Sequence, residues 1–452
     1  MIAIVAPIAV AVVIRPEWLP ALLVVTVFTE SLTVGQVTIS RIAAPFALAV
    51  LVPRLMIERR LPSQGYLPVL LAAGAYSFWA LASALWTLDD GTNPGSGTTY
   101  SLASLAISGI YLLVVLLLVR TPKDLRRLLY AIVATATVSS AFAIFEYASG
   151  GGRAAGYDSD PNYFAAMQVF ALPLAILLAS HARGPAARAA ILCAVAVIGG
   201  SVIVSLSRGG IIAMLAVLIL LGASPARGVF RTPGRKALVV LVAIVGAGAL
   251  VSVAYSDLSA RSSSLFDSSE GGSGRTNLWR AAITGWEQRP VIGIGFGAFR
   301  GQSNKLLRRT PGVDFSAYKL RLGGQYAHSA YLGTLVELGV IGLALFLTLL
   351  VLAWRGMRRA AAIAAERDDR FMTGASRALS ISLAGFALAS VFLSTETDRV
   401  LWVLLGLGAV LPRVAAGAAS ESADPPSGVG SVSPLPDPAD VEPHVRKRGR
   451  ND

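Results

Sequence analysis

Runs of about twenty consecutive apolar residues recur along most of this 452-residue chain, and they leave it few folds to choose from. A helix crossing a hydrocarbon layer of ~30 Å needs about 20 such residues, and it satisfies its own backbone N–H and C=O groups on the way. The runs are continuous instead of alternating, which excludes a membrane β-barrel. The expected fold is therefore all-α: a polytopic integral membrane protein. Spans read at about 41–57, 66–87, 101–119, 126–148, 162–180, 187–206, 208–222 and 236–254, then 328–354, 374–393 and 397–412. Adding the run from Trp18 to about Thr33, and Met1–Ile14, whose crossing the sequence leaves open, gives about 12–13 transmembrane helices. Arg15-Pro16 separates those first two runs. With no basic leader and no small-residue cleavage site, a removable signal peptide is not expected.

Charged residues make up 14% of the chain, against ~25% in soluble domains, and they are not evenly spread. A net charge of +13 would suggest nucleic acid in a soluble protein. Here it is read as a topology signal, because basic residues accumulate in short cytoplasmic connections; no nucleic-acid partner is expected. Arg54, Arg59 and Arg60 share one connection. Arg120, Lys123, Arg126 and Arg127 share another, Arg183 and Arg188 a third, and Arg227, Arg231, Arg235 and Lys236 a fourth. Arg355, Arg358, Arg359, Arg367 and Arg370 form the last. These alternate with connections bearing acids: Asp89-Asp90, Asp158 with Asp160, and Glu396 with Asp398. The acidic set, and a long polar loop at 255–327, then face outward. Four parts follow: N-terminal membrane helices over 1–254, the external loop over 255–327, C-terminal membrane helices over 328–413, and a tail over 414–452. The tail is rich in Ala, Ser, Pro and Gly and is expected to be disordered in the cytoplasm. Its basic end, Arg446 to Arg450, suits anionic lipid headgroups, although a solvated tail is the simpler reading. The single cysteine, Cys193, lies in an apolar run, so no intrachain disulfide can form.

Several polar residues stand where an outward-facing site would be. His328 opens the run His328-Ser-Ala-Tyr-Leu at the outer mouth of a span, where the helix dipole favours a neutral imidazole able to take a proton. Arg208, in Ser205-Leu-Ser-Arg-Gly-Gly210, begins another span at the same face, and a guanidinium fork suits phosphate oxygens. The external loop is itself basic, with Arg275 and Arg280 among its cations, and would attract a lipid-linked phosphate. Its rings, Trp279, Trp286, Phe296, Phe299, Tyr318 and Tyr326, suit anchoring at the membrane interface or stacking on sugars, anchoring being preferred. Gly293-Ile-Gly-Phe-Gly297 has the wrong spacing for a dinucleotide fingerprint and reads as a turn that needs tight backbone packing. Counted along a continuous helix, Glu337 lies roughly 13 Å deep at ~1.5 Å per residue, where a carboxylate needs a partner. No metal-ligand cluster or phosphate-binding loop is present.

Taken in order, these pieces resemble the O-antigen ligase and polymerase superfamily of bacterial envelope proteins. Those carrying the likeness are Asp160-Pro-Asn162, Ser207-Arg208-Gly209, Gly274-Arg275 with Trp279, Pro290-Val-Ile-Gly-Ile-Gly-Phe-Gly297, His328-Ser-Ala-Tyr-Leu, and Glu337-Leu-Gly-Val-Ile-Gly342. The likeness covers about 140–410; Ser329 departs from it, asparagine being frequent there. It implies a GT-C-like glycosyltransferase of the bacterial plasma membrane. Such an enzyme moves a glycan from undecaprenyl pyrophosphate to a glycan or lipid acceptor outside, with no cofactor. His328 would be catalytic, and Arg208, Arg275, Arg280 and Glu337 would bind substrate. A flippase or other multi-helix transporter is the alternative. It would place ionisable or helix-breaking residues near the midplane in two related halves.

Overall fold

Short polar caps followed by proline set where many of these helices start. Thr121 and Asp124 form a reciprocal capping box ahead of Pro122, Asp160 caps the helix at Pro161, and Gly184 precedes Pro185. The computed structural model describes residues 15–30, 32–34, 37–58, 66–89, 97–150, 153–158, 160–223, 275–313 and 324–417, with 248 and 252. Its helices are α1 (Leu19–Val27), α2 (Ile39–Glu58), α3 (Leu67–Ala82), α4 (Thr98–Leu118), α5 (Pro122–Ala148), α6 (Pro161–His181) and α7 (Pro185–Val204). They continue as α8 (Arg208–Ala223), α9 (Arg275–Gln288), α10 (Ala298–Arg309), α11 (Ala330–Glu366), α12 (Arg370–Ala389) and α13 (Arg399–Ala416). Among the described residues the only strands form a small antiparallel hairpin, β1 (Thr33–Val34) with β2 (Val37–Thr38). The chain is thus an all-α multi-pass membrane protein. Eight of the described helices are long and apolar enough to cross a membrane, and three shorter apolar helices accompany them. The runs expected at 1–14 and 236–254, and the tail beyond 417, lie outside the described residues.

Helices α6 and α13 are central, with 83% and 78% of their apolar windows buried, whereas α7, at 28%, is peripheral. Lipid tails are as apolar as leucine, so the bundle is held by close packing and a few internal hydrogen bonds. Gly356 of α11 and Gly408 of α13 meet almost backbone to backbone, with Ala353 alongside. Ser382 Oγ of α12 donates to the Phe170 carbonyl of α6 at 2.8 Å, and Ser140, Gln168 and Ser201 chain α5, α6 and α7 together. Such bonds contribute about 0.6 kcal/mol each on average.

The polar stretch after 274 is not an open loop. It folds into α9 and α10, joined by the glycine-rich turn, and the turn is inserted into the bundle. Phe296 at its apex is 1% exposed and meets Tyr76 of α3 edge-on at 6.5 Å. Phe299 is buried as well. These two rings therefore pack inside the protein instead of anchoring at the membrane interface. Tyr318 lies outside the described residues.

The span after His328 is also not one continuous helix. At Gly339 the backbone takes φ 68° and ψ −169°, a conformation reserved for glycine, and a side chain there would run into the Val291 carbonyl. A break at membrane depth is tolerated only if protein satisfies the freed carbonyls. Here the Val336 and Glu337 carbonyls accept from the N–H groups of Ile294 and Gly295, both at 2.9 Å. The Leu338 carbonyl accepts from Trp79 Nε1 at 3.0 Å. The turn and the broken helix form one seam.

Candidate functional site

Two tight turns at one end of the bundle lock together and bring Arg153 and Arg208 within electrostatic reach of Arg275. Asp160 Oδ1 accepts from Asn162 N at 2.7 Å, starting α6, and Ser207 Oγ accepts from Gly210 N at 3.1 Å, starting α8. Asn162 Oδ1 then accepts from both Ser207 Oγ, at 2.9 Å, and an Arg153 terminal nitrogen, at 3.0 Å. Arg153 Nε donates to the Ser205 carbonyl at 3.1 Å. Between these contacts Leu206 is held at φ 51°, unusual for a bulky residue. Arg208 follows as the first residue of α8, as its sequence context indicated.

Arg275 is the first residue of α9 and is half-buried. Burial holds its guanidinium below the ordinary arginine range; Asp160 pulls it back up, and Arg153 and Arg208 push it further down. An arginine stays protonated under such a shift. The shift places Asp160, Arg153 and Arg208 close enough to Arg275 for their charges to act on it.

His328 sits immediately before α11, in the left-handed region at φ 47°. Ser329 takes the capping role and accepts from Leu332 N at 3.4 Å. The segment 390–398 ties His328 to the arginine turns. Its Ser390 carbonyl accepts from Ala330 N at 2.9 Å, its Phe392 lies against Gly209, and Phe392 stacks on Trp279 with ring centres 6.2 Å apart. Trp279 is one helical turn from Arg275.

The other two expected substrate-binding residues sit differently. Arg280 is exposed, on another face of α9, and donates to the Gly312 carbonyl at 3.4 Å. Glu337 is 8% exposed, and its carboxylate accepts from Gly297 N at 2.8 Å and Phe299 N at 3.1 Å, holding the start of α10. The partner its depth demands is thus backbone, and the same residue lines a cavity at this end. Glu337→Ala would leave two buried N–H groups without acceptors, at about 1–3 kcal/mol each. We expect a marked drop in the thermal midpoint of the purified protein in detergent, with Glu337→Gln intermediate. An alanine variant as stable as its parent would show that the seam does not depend on this carboxylate.

Sequence reading missed Arg153 and gave Glu396 and Asp398 no role beyond marking an outward connection. Arg153 was legible only as a cation in a connection otherwise marked by acids. Among the described residues no group of three or more His, Cys, Asp and Glu side chains could hold a metal. In comparison with known proteins, residues 189–347 match the family model described as O-Antigen ligase, a segment containing Arg208, Arg275, Arg280, His328 and Glu337. No curated protein matches the chain.

Proposed function

We propose, from the match of residues 189–347 to the O-antigen ligase family model, that this membrane protein transfers a glycan from undecaprenyl pyrophosphate to an acceptor hydroxyl outside the membrane. The acceptor oxygen attacks the anomeric carbon of the first sugar and forms the new glycosidic bond. The bond from that carbon to the pyrophosphate oxygen breaks, its electron pair leaving on undecaprenyl pyrophosphate. His328 takes the acceptor's proton. Arg208 and Arg275, with Arg153 beside them, meet the charge that grows on the leaving group. The observation that carries this reading is the convergence of the three arginines on the Asp160–Asn162 turn, joined to His328 through segment 390–398. A pyrophosphate takes several charge-assisted hydrogen bonds, and planar guanidinium forks supply them without metal.

Ligase and polymerase share this donor and differ only in acceptor. A transporter would use the broken helix differently, offering free carbonyls to a substrate; here those of Val336 to Leu338 are taken up within the seam. The site faces outward in our reading because the connections rich in Arg and Lys, at 120–127, 183–188 and 355–370, lie at the opposite ends of these helices.

Sealed membrane vesicles carrying the protein in either orientation test both points. A lipid-pyrophosphate-linked glycan is supplied to the exposed leaflet together with cell-envelope acceptor. Consumption is expected only where the arginine end faces out. Consumption solely in the reverse orientation would overturn the sidedness, and none in either would overturn the reaction.

A further inference from the structure

Beside the arginine turns lies a partly open cavity of about 180 Å³ that the transfer scheme above does not use. That is room for several waters. Tyr100, Tyr163, Tyr326, Glu396, Asp398 and Arg399 are among its walls. Its position relates it to both halves of the proposed site. Tyr163 follows Asn162 in sequence, and Tyr326 lies two residues before His328. The Glu396 carboxylate lies against Gly333, on the first turn of α11, with Ala327 alongside.

The polar atoms of this cavity are unevenly satisfied. Asp398 is 4% exposed; its Oδ1 caps α13 at 2.6 Å from Val400 N, while its Oδ2 is buried without a partner. Glu396 Oε2 is buried and unpartnered too, as is Arg399 Nε, although Arg399 pairs with Glu30 at 2.9 Å through another nitrogen. Buried acceptors without donors are costly, about 1–3 kcal/mol each, so whatever fills this cavity, water or ligand, must bring O–H or N–H donors to these oxygens. An anion is disfavoured by the four carboxylates here, Glu30, Glu337, Glu396 and Asp398; a cation is disfavoured by Arg41 and Arg399. A neutral ligand bearing several hydroxyls meets both conditions, and tyrosine rings suit the faces of a sugar. Burial pushes the Glu396 and Asp398 carboxyls up to about 7, so near neutral pH each can exchange between accepting and donating.

We propose that this cavity receives the terminal, uncharged sugar of the acceptor, with Glu396 and Asp398 bonding its hydroxyls. It presents the sugar to His328, on the side away from the pyrophosphate. The proposal rests on the glycosyltransferase reading for the word acceptor; the sugar pocket itself stands on the cavity alone.

The test uses the full chain in detergent and two separate probes. Methyl glycosides of glucose, galactose, mannose and rhamnose, followed by saturation-transfer NMR, report on the cavity; undecaprenyl pyrophosphate reports on the arginines. At least one glycoside should bind, and Glu396→Gln or Asp398→Asn should weaken it about tenfold or more. Ser394→Phe, which fills the cavity without touching a charge, should abolish that binding. Arg275→Ala should leave glycoside binding intact while weakening undecaprenyl pyrophosphate. No binding of any glycoside, or binding indifferent to both Glu396→Gln and Ser394→Phe, overturns the pocket. Glycoside binding without any binding of undecaprenyl pyrophosphate would instead overturn the transferase reading and leave the pocket standing.

Discussion

Replacing His328 by alanine is expected to slow glycan transfer about 10²–10⁴-fold, the range for losing a general base, while donor affinity stays close to that of the parent. The arginines proposed to hold the pyrophosphate sit on other elements and keep their anchors in the variant. Alanine introduces one complication, because position 328 has φ 47°, and a left-handed residue costs roughly 1–2 kcal/mol when its side chain cannot help. Asparagine is comfortable in that conformation but has no basic nitrogen. His328→Asn should therefore fold as well as the parent and still be slow. Turnover and undecaprenyl pyrophosphate affinity are measured side by side on monodisperse protein. An asparagine variant with near-parental turnover would remove His328 from the chemistry.

Removing the Arg208 or Arg275 side chain should weaken donor binding about ten- to a hundredfold, the cost of one charge-assisted hydrogen bond at ~1.5–3 kcal/mol. Lysine should restore only part of it, since it brings the charge without the planar fork. The double alanine variant should lose less than the product of the single effects, because the two guanidinium groups share one ligand and repel each other when it is absent. Arg153→Ala should act through a second route as well. It deletes the contacts to Ser205 and Asn162 that pin the two turns, so Arg208 loses its fixed position. Titration of undecaprenyl pyrophosphate into each variant gives the comparison. Unchanged affinity in both Arg208→Ala and Arg275→Ala would move the donor elsewhere.

How far these features could be read beforehand depended on whether the signal was local. Apolar length was enough to find the eight long helices and three shorter apolar ones among the described residues, and Ser207 before Arg208 and Asp160 before Pro161 are caps that any helix would use there. Position along the chain also gave His328 its place ahead of α11. Arg153 was hidden because nothing near it in sequence announces Asn162 or Ser205 as its partners. Glu396 and Asp398 looked like ordinary acids in an outward connection; what distinguishes them is enclosure by distant helices. The break at Gly339 was hidden for the opposite reason. Its surroundings are apolar enough for a straight helix, and only the demand of the 293–297 turn for carbonyl partners bends it. Glu337 was rightly read as needing a partner, but depth could not say that the partner was the main chain of that turn.

The seam between this turn and the broken helix has a consequence for how such a protein can diversify. Its bonds run mostly through main-chain atoms, which are the same whatever side chain is carried. Val336, Leu338 and Ile294 can therefore drift among apolar residues of similar bulk without loosening it. The fixed requirements are few: glycine at 293, 295, 297 and 339, where φ is positive at each, and acceptor oxygens at 337. Downstream, the Ala330–Ser390 bond fastens the chain again. Beyond the turn, change is freest at the exposed positions of α10, Lys305, Arg308 and Arg309, while Leu306 and Leu307 stay packed beside Ala327 and Val336 and so keep that helix in place.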